Sequence, residues 1–276
     1  TLDESGNEYI YKFTIDRPVR FYAALKKPEP TNTDIDLHLI KQLNTQNPEL
    51  VVRGDVNIYE RLQPGTYYIV ADTYVSSGVE KSGSYTIDIM IRPIENHSND
   101  ENFNYYLMEA VYYLYYNHGL LGYDIGSVLT HDVSYGQEGI NPENYYGVVP
   151  ETGDLHKTMC VAAVMEVMLI AFNIYVEDTG DWTVYNYLPL RSWKYLGEND
   201  IKAHIWVNHD LDSWGTADAV RNFGMGENQP FEELKPGSFF GINRTTGSGH
   251  ATIFLAFLDK YGHEYTTYPN DVEIIG

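Results

Sequence analysis

Short stretches of alternating apolar and polar residues dominate the first 95 residues and restrict this part of the chain to a β-rich fold. A period of two places every second side chain on the same face of a strand. Clusters of Gly, Pro, Asn and Asp, which are typical of turns, separate the stretches. We therefore expect an antiparallel all-β sandwich over residues 1–95. The predicted strands are Tyr9–Ile15, Val19–Leu25, Ile35–Ile40, Tyr67–Ala71 and Tyr85–Ile91.

The polar segment 96–102 ends this pattern and is typical of a linker. Beyond it, apolar residues recur at helical spacing from Phe103 to Leu114, and Asn117-His118-Gly119 provides a stop signal. A stretch without periodicity, residues 122–155, follows this helix, and loops of such length within a domain are usually functional. We expect a second, α+β domain over residues 96–276.

The charge of the chain excludes one class of partner. It has 18 Lys and Arg against 39 Asp and Glu, for a formal net charge of −21. Residues 96–276 hold 8 basic and 25 acidic side chains, so most of the acidity lies in the second domain. Such a surface repels phosphate backbones, so no nucleic-acid partner is expected. The acidity suits either a cationic partner or solubility in an extracellular setting.

No membrane span is expected, because the longest apolar run, Val161–Phe172, is broken by Glu166 and is too short to cross a bilayer. No signal peptide is visible, and a start at Thr1 is compatible with a leader that has been removed.

Cys160 is the only cysteine, which excludes an intrachain disulfide and a multi-cysteine zinc site. Apolar residues at helical spacing from Val161 to Phe172 predict a buried helix, with Thr158 as its N-cap. Cys160 would then lie in the first turn, where free N–H groups and the helix dipole stabilise a thiolate. His156 and Lys157 add positive charge there. A small buried cysteine is the alternative, but the position at the helix start favours a nucleophile.

A thiolate nucleophile needs a base, which is normally histidine. Of nine histidines, His250 has the most distinctive setting, since it follows Gly247-Ser248-Gly249 and begins the apolar run Ala251–Leu258. This run predicts a buried strand, and the segment 234–242 predicts its hairpin partner. The alternative is a structural histidine at a strand end.

These motifs resemble the papain-like cysteine enzymes of bacteria, in particular the NlpC-type and CHAP-type cell-wall peptidases and amidases. The resemblance covers residues 150–270, with Ser238 where the family has Asp after Pro-Gly. It implies that Cys160 is the nucleophile and His250 the general base. It also implies a third polar residue that orients the imidazole, for which Asn270, then Asp271, is nearest on a predicted strand 263–270. The oxyanion hole would use the backbone N–H of Cys160 and a second donor that the motifs do not identify.

The insert 197–226 lies between nucleophile and base, with Trp193, Trp206 and Trp214 in or near it. Its aromatic residues would either wall a substrate cleft or pack locally.

In the first domain, residues 62–74 and 82–89, with Asp34-Ile35-Asp36-Leu37-His38-Leu39 upstream, resemble the bacterial pre-peptidase C-terminal domain. That resemblance implies a β-sandwich attached to a secreted peptidase. Asp34, Asp36 and Asp72 would either share a calcium ion or act as ordinary solvated and turn-capping aspartates.

Together these features predict a secreted bacterial cysteine hydrolase that is periplasmic or extracellular. It would cleave an amide or peptide bond, foremost in peptidoglycan, through a Cys-His thioester mechanism. No cofactor is expected, and the first domain would contact a cell-surface or extracellular partner. The alternatives are a non-catalytic binding or adhesion protein on a papain-like fold, and an acyl-transfer enzyme that forms cross-links.

Overall fold

The computed structural model describes residues 8–42, 49–95, 97, 103–118, 122–123, 135–136, 139–140, 149–150, 156–187 and 197–275. The chain forms two compact units. The first unit comprises Thr1–Glu95 and Tyr113–Gly119, and the second comprises Asn96–Tyr112 and Leu120–Gly276. The division thus differs from the expected 1–95 and 96–276 in one respect. Helix α1 (Asn104–His118) contributes its last residues to the first unit and its earlier residues to the second.

The first unit is a sandwich of two antiparallel sheets, which confirms the expected β-rich region. The strands are β1 (Glu8–Ile15), β2 (Val19–Glu29), β3 (Ile35–Gln42), β4 (Glu49–Gly54), β5 (Asn57–Leu62), β6 (Gly65–Thr73), β7 (Val75–Ser76), β8 (Val79–Glu80) and β9 (Ser84–Pro93). One sheet has the strand order β1-β6-β3-β4, and the other has the order β5-β2-β9. Four strands are additional to those predicted: β4 and β5 in these sheets, and the short pair β7 and β8.

The core of this sandwich lies between its two sheets. Leu37, Ile69 and Phe21 have no exposed surface and belong to one apolar cluster. Phe13 of β1 stacks on Phe21 of β2 with ring centroids 5.0 Å apart, so the aromatic contact joins the two sheets. The period-two pattern therefore has its expected physical cause, the burial of one face of each sheet.

The aspartates proposed as calcium ligands have other partners. Asp36 forms an ion pair with Arg53, and Lys81 Nζ lies 3.7 Å from the Asp34 carboxylate. Asp72 lies opposite Asp36 in the β3–β6 ladder, and its carboxylate is 3.8 Å from His38 Nε2. Within the part of the chain that the structure describes, no group of three or more acidic, His or Cys side chains is arranged to hold a metal ion.

The second unit is a mixture of helices and short, mostly antiparallel strands. Helix α2 (Cys160–Thr179) forms its centre, and a shorter helix, α3 (Thr216–Asn222), follows. Short 3-10 helices occupy Trp182–Tyr187, Ile201–Ala203, His209–Leu211 and Phe231–Glu233. The strands are β10 (Gly122–Tyr123), β11 (Tyr135–Gly136), β12 (Gly139–Ile140), β13 (Val149–Pro150), β14 (His156–Thr158), β15 (Val207–Asn208), β16 (Ser213–Trp214), β17 (Phe239–Asn243), β18 (Gly249–Ile253), β19 (Phe257–Leu258) and β20 (Glu264–Tyr265).

Helix α2 is the buried helix that the apolar spacing predicts. Ala162, Met165 and Ala171 have no exposed surface. Gly180 ends the helix in a left-handed conformation, φ 71°, and its N–H donates to Val176 O at 2.8 Å. Among the described helices only α2 is long and apolar enough to cross a membrane, and 72% of its apolar window is buried within the protein. That burial is typical of a core helix.

The predicted hairpin after residue 234 is present but smaller than expected. β17 and β18 pair antiparallel, with Ile242 opposite His250. The expected strand Ala251–Leu258 was wrong in extent and burial. β18 ends at Ile253 and contains no fully buried residue, because Phe254 and Phe257 turn instead into a small core with Leu234. β17–β18 and β19–β20 are separate two-stranded sheets among the described strands, so a continuous papain-like sheet is not seen there.

Glu166 is a buried carboxyl in the middle of α2. Its relative exposure is 1%, and Oε1 has no hydrogen-bond partner within the described residues. Burial raises the pKa of Glu166 to about 9, so the side chain is neutral at physiological pH.

Replacing Glu166 by Gln should stabilise the second unit at neutral and higher pH. Unfolding exposes a carboxyl of ordinary pKa, about 4.5, which releases a proton that the native state retains. The stability of the native protein therefore falls as pH rises from about 4.5 to 9. We expect a gain of about 1–3 kcal/mol in the free energy of unfolding at pH 8, and none at pH 4.

Urea unfolding across this pH range measures the effect, and Glu177→Gln on the exposed face of the same helix is the control. A pH-independent difference between Glu166→Gln and the native protein would contradict this account.

Candidate active site around Cys160

Cys160 is the first residue of α2 and is partly exposed. The N-cap is Met159, with extended backbone angles, φ −123° and ψ 164°, and no side-chain hydrogen bond. The expected N-cap at Thr158 was wrong, because strand pairing holds Thr158 in β14 and delays the helix by one residue. The first helical bond runs from Ala163 N to Met159 O at 2.8 Å. The N–H groups of Cys160 and the next two residues therefore have no acceptor within the helix.

Tyr123 lies beside this cysteine. β10 and β14 are parallel neighbours with Tyr123 opposite Thr158, two residues before Cys160. Burial, the charge of Cys160 and a hydrogen bond between the Tyr123 hydroxyl and Cys160 together raise the pKa of Tyr123. Tyr123 belongs to the stretch 122–155, whose sequence carries no periodic signal. No motif in the sequence around Tyr123 could have indicated that it lies beside Cys160.

His250 lies on the strand that packs against α2. The contact between α2 and β18 brings the elements that carry Cys160 and His250 together. The register of the β17–β18 pair places His250, Thr252 and Phe240 on the same face of the hairpin. Phe240 packs against the small core of Leu234, Phe254 and Phe257. No hydrogen bond between Cys160 and His250 is recorded among the described contacts.

Asn270 is not on a strand beside His250. The predicted strand 263–270 was wrong, since β20 covers only Glu264 and Tyr265. Pro269, which has no N–H to donate, precedes Asn270 in an exposed turn. Asp271, the second candidate for the orienting residue, directly follows it. Neither has a recorded contact with His250 among the described residues.

A tight turn fixes the start of the His250 hairpin. The chain turns at Pro236-Gly237, with Ser238 N bonded to Lys235 O at 2.9 Å. Gly237 has φ 93°, and a Cβ there would lie 2.6 Å from Asn104 O, so only glycine fits. Ser238 Oγ accepts hydrogen bonds from Asn104 Nδ2 and Lys235 N, both at 3.2 Å. Ser238 thus has a structural role here.

The insert 197–226 combines local packing with an exposed aromatic surface. His204 is structural, because Nε2 bonds Glu198 O at 2.8 Å and Nδ1 lies 3.1 Å from Asn222 Nδ2. Trp214 is 54% exposed, and Asn243 Nδ2 of β17 donates to its carbonyl at 3.3 Å. The insert therefore contacts the hairpin that carries His250. Trp193 lies outside the described residues.

A cavity of about 1260 Å³ lies within the second unit, apart from this cysteine. The C-terminal half of α2, the first residues of α1 and the segment 224–241 form most of its wall. Neither Cys160 nor His250 lines it. Sequence motifs gave no indication of this cavity, because residues far apart in the chain form its wall. We call it the aromatic cavity, since nine of its lining residues are Phe or Tyr.

Comparison with protein-family models gave no match, and comparison with curated proteins gave none either. Among solved structures, the mitogen derived from Yersinia pseudotuberculosis is similar over 33% of this chain and 92% of its own, at 19% identity. The TM-score is 0.20, which is too low to define a common fold.

Tyr123→Phe should slow the reaction of Cys160 with iodoacetamide at neutral pH. The hydroxyl that contacts the sulfur is removed while the ring remains, so the thiolate loses a hydrogen-bond donor. A net contribution of about 1 kcal/mol corresponds to a rate about 5-fold lower. Alkylation reactions quenched at set times and analysed by mass spectrometry measure the rate. The control is Tyr261→Phe, which changes an exposed tyrosine. Equal rates in both variants would show that Tyr123 does not influence the thiol.

Proposed function

We propose that the second unit is a cysteine hydrolase in which Cys160 attacks an amide or peptide carbonyl and His250 transfers the protons. The observation that carries the proposal is the position of Cys160. It is a partly exposed thiol at the first residue of a buried helix, and that helix packs against the strand of His250. A cysteine required only for packing would be placed as well in the middle of α2.

The proposed reaction requires two protein groups, the Cys160 thiol and the His250 imidazole, and one water molecule. His250 accepts the thiol proton, and the Cys160 sulfur forms a bond to the carbonyl carbon. The protonated imidazole then gives this proton to the leaving amine as the C–N bond breaks, which leaves a thioester. Water, deprotonated by His250, attacks the thioester; the C–S bond breaks, and the proton returns to sulfur.

The helix start supports this chemistry electrostatically. The N–H groups of the first turn have no helical acceptor, and Met159 offers no side chain to accept from them. They can donate to the oxyanion that forms during attack. The hydroxyl of Tyr123 is the second donor near the sulfur that we assign to the site. The arrangement needs neither a metal nor a cofactor for these steps.

Peptidoglycan is the first substrate that we propose, and peptides are the second. This choice rests on the resemblance to cell-wall peptidases and amidases and on the β-sandwich that precedes the second unit. We assign a secreted or periplasmic location and a surface-targeting role for the sandwich on the same grounds.

The proposed pair of Cys160 and His250 predicts an alkylation rate that depends on His250. Native protein should react with iodoacetamide about 10-fold faster than His250→Ala, because the imidazole accepts the thiol proton. Alkylation followed by mass spectrometry measures this effect, and His263→Ala, a histidine of the β19–β20 turn, is the matched control. Identical rates for native protein and His250→Ala would overturn the pairing.

Cys160→Ala should abolish release of amines from peptidoglycan fragments while the fold stays intact, as judged by circular dichroism. Product masses separate hydrolysis, which adds water, from transfer to an added amine. Undiminished turnover by Cys160→Ala would refute the nucleophile assignment.

A non-catalytic binding protein is the second candidate, and the aromatic cavity favours it. The cavity is large enough for a ligand, yet it includes neither Cys160 nor His250. This candidate predicts an alkylation rate that does not respond to His250, together with ligand binding and no product.

A further inference from the structure

We infer that the aromatic cavity binds an organic cation, an alkylammonium or guanidinium group carried by a peptide side chain or a free amine. The inference goes beyond the proposed hydrolase activity and does not depend on it. It rests on three properties of the wall: its rings, its fixed carboxylate and its charge balance.

Aromatic rings supply the apolar and cation-attracting part of the wall. Phe103 packs edge-on against Phe172, with centroids 5.6 Å apart, and against Tyr175 at 5.5 Å. Tyr187 and Phe231 are 50% and 38% exposed, so parts of these lining rings are open to a ligand. The face of an aromatic ring attracts a cation through its quadrupole, and the attraction grows as the cation is desolvated.

Asp181 is an anionic anchor in this wall. Its Oδ1 accepts hydrogen bonds from Thr183 N at 2.9 Å and Thr183 Oγ1 at 2.7 Å, and its Oδ2 accepts one from Tyr175 OH at 2.8 Å. The Thr183 and Tyr175 bonds lower the pKa of Asp181, so the carboxylate stays charged. A carboxylate has about four acceptor positions, so three bonds orient it and leave capacity for a ligand donor.

The remaining charges in the wall also favour a cation. Glu227, Glu232 and Glu233 line the cavity with Asp181, whereas the basic lining residues are Arg221 and Lys235. The charge of Arg221 is already compensated outside the cavity. Its Nη2 lies 3.3 Å from the Asp212 carboxylate and its Nη1 lies 3.2 Å from that of Asp218.

The end of α2 strengthens this preference. Asp181 follows directly after Gly180, the residue that ends the helix. A helix C-terminus carries a partial negative charge, which adds to the field of the Asp181 carboxylate that a cation would relieve. Complementary charge and ring faces together select a cationic group over a neutral group of the same shape.

Calorimetric titration of the Cys160→Ala protein tests the inference without interference from turnover. The probes are Nα-acetyl-lysine methylamide, its neutral counterpart Nα-acetyl-norleucine methylamide, and cadaverine. We expect the lysine probe to bind about 10-fold more tightly than the norleucine probe, and added salt to weaken its binding. Tighter binding of cadaverine than of the lysine probe would identify a free amine as the source, and the reverse would identify a peptide.

Asp181→Asn should weaken binding of the cationic probe about 10-fold, whereas Asp210→Asn, which changes net charge equally on an exposed residue outside the wall, should not. If Asp181→Asn unfolds, the double variant Glu232→Gln/Glu233→Gln on the exposed 3-10 turn replaces it and should weaken binding in the same direction. Equal affinity for the lysine and norleucine probes, or unchanged binding in the folded cavity variants, would overturn the inference. The alkylation experiments test the hydrolase proposal separately.

Discussion

The burial of α2 is the constraint on which the second unit depends. The strands of this unit are mostly two to five residues long, and strands this short have little stability without an apolar surface to cover. Helix α2 provides that surface, and β12, β18 and α3 all pack against it. Because the middle of the helix is apolar on nearly every side, the proposed chemistry is confined to its two ends. The exception is Glu166, which burial keeps neutral at the cost of some stability.

The sequence patterns predicted those features that a single segment determines. The alternation of apolar and polar residues from Tyr9 to Ile91 was sufficient to predict the sandwich, because one face of each strand is buried. It missed β4 and β5, each six residues long. Helical spacing predicted α1 and α2, and the run after His250 predicted a hairpin. The boundaries were less accurate, since Thr158 is held by strand pairing and Phe254 and Phe257 leave the strand for a core that local sequence does not reveal.

Features made by distant residues could not be predicted in this way. Tyr123 reaches Cys160 only because β10 pairs with β14, and its own surroundings have no periodic signal. The wall of the aromatic cavity is formed by contacts between residues that are far apart in the sequence. Asn104 and Ser238, for example, are hydrogen-bonded and 134 residues apart. The orienting residue expected at Asn270 depended on a strand longer than the one that forms. Cys160 could be proposed as a nucleophile from sequence because its environment, a helix start, is local.

The two ends of α2 have opposite electrostatic character, and each suits a different charge. At the N-terminus, N–H groups that have no acceptor within the helix and the positive end of the dipole favour an anion, such as the oxyanion of the reaction proposed at Cys160. At the C-terminus, Asp181 directly follows Gly180 and places a carboxylate beside the negative end of the dipole. A ligand cation held by Asp181 and the surrounding rings would relieve that repulsion, so the helix would favour an anion at one end and a cation at the other.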